Sequence, residues 1–149
     1  MKVNSENPIS LIHLTHNMLR RCEDKIFAQH GLTTEQYEVL KAIKSLDAPV
    51  RITDVAIRLI RSTNSVSMIV DRMVKADLLN RVRDEIDRRT VHVSITVQAE
   101  TLLKTAMPAG QEFIRDTLSK LSHEDRNDLL SLLSIIVEET KSERKTAAV

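Results

Sequence analysis

A mainly α-helical chain with one small antiparallel β-ribbon is the fold class this sequence predicts. Turn formers are scarce, with 2 Gly and 3 Pro in 149 residues, so helices should be long and tight turns few. Apolar residues recur at three- and four-residue steps along most of the chain, the spacing of one helix face. One stretch departs from that spacing. In RVRDEIDRRTVHVSIT, Arg81 to Thr96, Val91, Val93 and Ile95 alternate with Thr90, His92, Ser94 and Thr96, the period of a half-buried strand.

Taken in order, Asn7 and Pro8 are suited to cap and open a first helix that runs to about His30, with Leu11, Leu14, Met18, Cys22 and Ile26 on one stripe. Gly31 ends it. Thr33-x-x-Gln36 is a capping box for a second helix, whose apolar stripe is Tyr37, Leu40 and Ile43. After a turn at Asp47–Pro49, Val50 to Ile52 is long enough only for a minimal strand. TDVAIRLI predicts a short helix capped by Thr53, with Asp54 in its first turn, where a carboxylate suits the helix dipole. STNSVSMIVDRMVKADL predicts another, capped by Ser62 or Thr63. With so short a turn between them, the pair reads as a helix-turn-helix. The ribbon follows, with strands near 80–84 and 90–95 and a tip near 85–89. Two more helices are expected over about 98–117, weakened at Pro108 and Gly110, and over 122–140, opened by a Ser122-x-x-Asp125 box. The tail KSERKTAAV is expected to fray.

The second helix of the pair has two unlike faces. Val66, Ile69, Val70, Met73, Val74 and Asp77 fall within about 80° of one direction on a helical wheel. Asn64, Met68, Asp71, Arg72 and Lys75 fall opposite, with Ser65 and Ser67 on the flanks. Short polar groups at its N-terminal turn can reach base edges, and the cations further along can reach phosphates. The candidates for double-stranded DNA contact are therefore Ser62, Thr63, Asn64, Ser65, Ser67, Met68, Arg72 and Lys75. An ordinary amphipathic helix with a solvated face would look much the same, so the ribbon decides. A ribbon directly after a helix-turn-helix is a wing, and Arg suits a narrow minor groove because negative potential concentrates there. Arg83, Asp87, Arg88 and Arg89 are its candidates. A carboxylate two residues before an Arg can hold the guanidinium before binding.

Bulk charge does not argue for nucleic acid, because the net is +1. Residues 51–90 hold nine Lys/Arg against six Asp/Glu, a local net of 9 − 6 = +3 in the middle of the chain. No apolar run approaches the ~18–20 residues of a membrane span. One Cys cannot form an internal disulfide, so a reducing cytoplasm is expected. No nucleophile–base–orienter set and no glycine-rich phosphate loop is present, so neither an enzyme nor a cofactor is expected. His13 and His16 lack further ligands at metal spacing, and no metal site is expected. Cys22, on the apolar stripe, reads as a buried thiol rather than a redox sensor.

With these motifs in view, the sequence resembles the MarR family of winged helix-turn-helix regulators. The family wing D-x-R-x-x-x-V-x-L-T is matched by Asp87, Arg89, Val93, Ile95 and Thr96, with Ile for Leu. GLTTEQYEVLKAI resembles the family's second helix, TDVAIRLIRSTNSVSMIVDRMVKADLLNRV its helix-turn-helix, and LSHEDRNDLLSLLSIIVEE its last helix. The likeness covers about residues 8–140. Asp77 and Ala99 stand where the family usually has Gly. The resemblance implies a homodimeric transcriptional regulator, with residues 32–96 as the DNA-binding lobe and 8–30 and 98–140 as dimerisation helices. It implies a pseudo-palindromic operator, Arg89 in the minor groove, and a repressor released by a small aromatic effector near His13, His16, Arg20 and Tyr37. A winged helix that docks protein instead of DNA is the competing class, but it has no need of paired arginines at a ribbon tip.

The dimer also has independent physical support. Leu129, Leu130, Leu132, Leu133, Ile135, Ile136 and Val137 spread over an arc of roughly 220°. A helix packed on one side needs little more than ~100°. Leu129, Leu132, Leu133 and Ile136 are the expected contacts with a second copy.

Overall fold

The structure, a computed structural model, describes residues 7–84, 87 and 90–146 and, of 142–146, the backbone. Among these are six helices and three strands: α1 (Pro8–Gln29), α2 (Thr34–Lys44), β1 (Val50–Arg51), α3 (Ile52–Leu59), α4 (Thr63–Lys75), β2 (Leu79–Arg83), β3 (Val91–Ile95), α5 (Val97–Thr117) and α6 (His123–Thr146). The strands form one antiparallel sheet in the order β1-β3-β2, with Val50 opposite Val93, Leu79 opposite Ile95 and Arg83 opposite Val91. The mainly helical fold with its small wing is thus observed. No helix of the described residues is long and apolar enough to cross a membrane.

The chain divides into two compact units, Met1–Gly110 and Gln111–Val149, with the boundary inside α5. The first holds the hydrophobic core. Val39 and Leu40 of α2, Val55 of α3, Val66, Val70 and Met73 of α4, Leu79 of β2 and Leu103 of α5 are fully buried. Each such aliphatic contributes about 1.5–3 kcal/mol by leaving water. In the second unit α6 opens with the expected box: Ser122 Oγ accepts from the Asp125 amide at 3.1 Å, and Asp125 Oδ2 accepts from the Ser122 amide at 3.1 Å. None of the side chains described on α6 is buried.

Three helices end alike, in the 6→1 and 5→2 pattern that satisfies orphan carbonyls through one left-handed residue. After α1 that residue is Gly31 (φ 74°), with Leu32 N–H donating to Phe27 at 3.0 Å. After α4 it is Asp77 (φ 57°), with Leu78 N–H donating to Met73 at 2.9 Å. In both, the paired apolar residues are buried, which adds the hydrophobic contact that accompanies this ending. After α3 it is Ile60 (φ 54°), with Arg61 N–H donating to Ala56 at 3.0 Å. A β-branched residue there costs about 1–2 kcal/mol, and Ile60 is 59 % exposed, so it recovers little by burial. Ile60→Gly is expected to raise stability by up to ~1 kcal/mol, the relief being partly offset by glycine's unfolded-state entropy. Thermal melting at fixed protein concentration would rise by a few degrees; a lower melting temperature would mean that the Ile60 side chain holds the turn.

Several expectations are corrected. The α3 cap is Arg51, not Thr53: Asp54 accepts the Arg51 amide at 3.1 Å and its guanidinium at 3.1 Å from Nε and from Nη2. Helix α5 runs through Pro108 without a break, because the Lys104 carbonyl left without a donor lies on the exposed side. Gly110 faces the buried Phe27–Tyr37 stack, where a Cβ would lie 3.2 Å from the Phe27 ring and 3.2 Å from the Tyr37 hydroxyl. Asp77 is exposed rather than on the core face, since the helix has already ended. Helix α6 continues to Thr146 where fraying was expected. Cys22 is exposed, not buried. On its stripe Leu11 and Met18 are exposed as well, and only the C-terminal end of α1, at Ile26 and Phe27, reaches the core.

Candidate nucleic-acid interface

The site is built on α4. Arg61 follows the left-handed Ile60, and Ser62 then caps the next helix by accepting the Ser65 amide at 3.2 Å. This fixes a two-helix corner with almost no loop. Val66, Ile69, Val70 and Met73 anchor α4 in the core, so its other face must point outward. Thr63, Asn64, Ser65, Met68, Arg72 and Lys75 are exposed there, Met68 to 67 %, with Ser67 half-buried. The candidates drawn from the helical wheel therefore share one solvent face.

Between the start of α4 and the wing lies a groove of about 350 Å³, lined by Arg51, Thr53, Thr63, Asn64, Ser67, Arg81 and Thr90 together with the apolar Ile52 and Val91. Its walls carry cations, hydroxyls and an amide, the groups that contact phosphates and base edges. Arg81 is a cation the ribbon itself offers; Arg51, Thr53 and Thr90 are not expected there from the sequence. Arg51 and Thr53 come there because β1 pairs with β3, Arg51 opposite His92. That pairing was legible in sequence only as a minimal strand without a partner. Arg81 of β2 is ion-paired to Asp71 on the outer face of α4, which ties wing to helix.

In the wing, Arg83 is exposed at the end of β2. Arg88 and Arg89 lie outside the described residues, and so does the expected pairing of Asp87 with Arg89. Asp87 has another role that is visible. Its carboxylate accepts the Thr90 hydroxyl at 2.9 Å, and its carbonyl accepts the Thr90 amide at 2.8 Å. Asp84 accepts the Asp87 amide through Oδ1 at 2.9 Å and pairs through Oδ2 with His92 Nε2 at 2.9 Å. Two acids thus tie Asp87, Thr90 and His92 to the end of β2. Under the wing, the Arg51 guanidinium holds the Asp54 carboxyl below the ordinary carboxylate value.

A chain of ion pairs runs behind α4. Arg72 Nη2 donates to Glu35 Oε2 at 3.2 Å, Arg61 donates to Glu35 at 2.9 Å and to Glu38 at 3.2 Å, and Arg20 of α1 pairs with the other oxygen of Glu38. Of the residues expected at an effector site, Arg20 is therefore half-buried and engaged, while His13 and His16 are exposed on α1. Glu23 lies among them, its carboxyl raised by burial, with Arg20 the largest influence in the opposite direction. Tyr37 belongs to the core: it is 7 % exposed and stacked on Phe27 at 3.8 Å between ring centroids. Dimerisation candidates Leu129, Leu132, Leu133 and Ile136 are exposed to 39–61 % on α6.

Residues 32–99 match the family model described as a winged helix DNA-binding domain. Over 135 residues the chain is 30 % identical to the HTH-type transcriptional regulator MgrA of Staphylococcus aureus, covering 89 % of this chain and 90 % of that protein. Solved structures share the fold at lower identity. S. aureus MepR in complex with DNA superposes with a TM-score of 0.86 at 19 % identity, over 91 % of this chain and 99 % of that one. A mutant of E. coli MarR complexed with operator DNA gives 0.77 at 20 % identity, over 85 % and 91 %. The organohalide-sensing regulator RdhR in its 2,4-dichlorophenol bound form gives 0.79 at 19 %, over 94 % and 89 %. By its wing and helix-turn-helix motifs, and by its identity to a regulator matched over nearly the whole length, the chain belongs to the MarR family of winged-helix, DNA-binding transcriptional regulators.

Proposed function

We infer that the chain acts as a homodimer on a pseudo-palindromic operator, repressing transcription until a small aromatic molecule releases it. Each copy lays α4 in a major groove and the wing beside it, with Ser62, Thr63, Asn64, Ser65, Ser67 and Met68 toward base edges and Arg72, Lys75, Arg83, Arg88 and Arg89 toward phosphates or the minor groove. The observation that carries this reading is the polar outer face of α4, continuous with a groove walled by the wing. In this reading residues 32–96 form the reading lobe, and 8–30 and 98–140 join the copies. Support for operator binding comes from MarR and MepR, both solved with DNA.

The test is binding to a duplex recovered from a random-sequence pool, followed at two salt concentrations. Each phosphate contact releases counterions, so affinity is expected to fall by about three to five orders of magnitude between 50 and 200 mM salt for 6–10 contacts. Failure to recover any duplex, or an affinity indifferent to salt, would overturn the reading.

Release by a ligand follows from spacing. Two α4 helices must meet half-sites about 34 Å apart, and a molecule that binds a wrongly spaced dimer more tightly lowers affinity without touching DNA. The relative bound to 2,4-dichlorophenol supports an aromatic ligand class. His13, His16 and Arg20 offer cationic or switchable groups for such an anion; buried Tyr37 offers little surface. Salicylate titrated against the protein–DNA complex is expected to release it, and to do so less in Arg20→Ala. Unchanged release in the variant would remove Arg20 from the site.

A further inference from the structure

We propose that Glu35 and Glu38, two acids of α2, are positioning residues for DNA readout, acting through Arg61 and Arg72. The inference rests on α4 being the reading helix. It adds a requirement that the family motif does not contain.

The two glutamates stand three residues apart, on one face of α2 and one turn apart. All four of their carboxylate oxygens are engaged. Glu35 takes Arg61 on one oxygen and Arg72 on the other; Glu38 takes Arg61 on one and Arg20 on the other. Three guanidiniums and two carboxylates therefore alternate from α1, across α2 and the α3–α4 corner, to the outer face of α4. The four inner side chains are about one-third exposed or less, while Arg72 at the end is 68 % exposed. A guanidinium held on one edge keeps its remaining donors free and aimed. It then reaches a phosphate or base with less side-chain freedom still to lose. Arg61 also sits directly after the left-handed Ile60, so its two ion pairs fasten the corner from which α4 starts.

Simple charge counting predicts the opposite sign. An acid beside a polyanion-binding face repels DNA, and its removal should tighten binding. However, removing Glu35 also leaves three neighbouring guanidiniums with a single carboxylate between them. Arg61 loses one of its two acceptors, and Arg72 loses the one that orients it. The ladder predicts weaker binding despite a more positive surface.

The experiment uses the full chain and the duplex recovered from the random-sequence pool, with affinity measured by fluorescence anisotropy across a salt series. Glu35→Gln is expected to weaken binding roughly 5- to 20-fold with the salt slope unchanged, because Arg72 keeps its charge. Arg72→Ala is expected to weaken binding and lower the slope by about one. The double variant is expected to lose clearly less than the product of the two single losses, since Glu35 acts in part through Arg72, the remainder passing through Arg61. Glu38→Gln, one rung further from α4, is expected to weaken binding about two- to fivefold, and it carries the test if Glu35→Gln melts below the wild type. Equal or tighter binding by both glutamine variants overturns the proposal. So does a Glu35→Gln loss that persists in full on the Arg72→Ala background. If Arg72→Ala binds like the wild type, the reading of α4 fails instead.

Discussion

Leu133→Glu is expected to convert a particle of about twice the 16.9 kDa chain mass into monomer or unfolded chain. Helix α6 exposes Leu129, Leu130, Leu132, Leu133, Ile135, Ile136 and Val137 to between 39 and 67 %. So many large aliphatics on one helix exceed the scattered apolar residues a monomer surface tolerates. Covering each would contribute about 1.5–3 kcal/mol. A glutamate at Leu133 removes one such contribution and sets a carboxylate among apolar side chains, whose burial unpaired costs on the order of several kcal/mol. In a two-fold interface the change enters twice. Sedimentation at micromolar concentration reads the outcome directly. Wild-type chain sedimenting as a folded species of the single-chain mass would end the dimer proposal.

The second large effect concerns the wing. Asp84→Ala is expected to weaken DNA binding by about 1–3 kcal/mol, the scale of losing one well-placed arginine contact. Asp84 holds the Asp87 amide on one oxygen and His92 on the other, and Asp87 in turn holds the Thr90 hydroxyl. Without Asp84 the Asp87 amide and His92 lose the carboxylate they share. Asp87→Ala is expected to act in the same direction with a smaller effect. Both changes make the wing more positive, so a surface-charge account predicts tighter binding. Anisotropy at two salt concentrations separates the two accounts, and tighter binding by either variant would refute the organising role.

Much of the fold was legible because its determinants are local. Asn7 accepts the Ile9 amide, Thr33 and Gln36 exchange their two bonds, and Ser122 does the same with Asp125, all within three residues of each other. Val66, Ile69, Val70 and Met73 recur at helical spacing, and that spacing alone separates the buried face of α4 from the exposed one. Where local rules misled, longer-range packing had decided the outcome. Pro108 by local rules weakens a helix, yet α5 continues through it with Pro108 and Lys104 both on the exposed side. Cys22 sits on an apolar stripe that by spacing alone implies burial, yet it is exposed. Periodicity reports which residues share a face, but not whether that face has a partner within the chain.

By itself, then, the sequence determined the helices, the caps of α1, α2, α4 and α6, the corner between α3 and α4, the ribbon and the face of α4 that meets solvent. Each follows from residues within about one or two turns of one another. Only the tertiary structure decided that β1 brings Arg51 to the wing, that Arg81 reaches Asp71, and that Tyr37 is stacked in the core. It also decided that Glu35 joins Arg61 and Arg72, residues 26 and 37 positions away. A charged side chain on a helix surface has many possible partners in sequence, and its spacing favours none of them. The partner is chosen when the apolar faces pack and bring α2 and α4 close enough for one carboxylate to serve two guanidiniums.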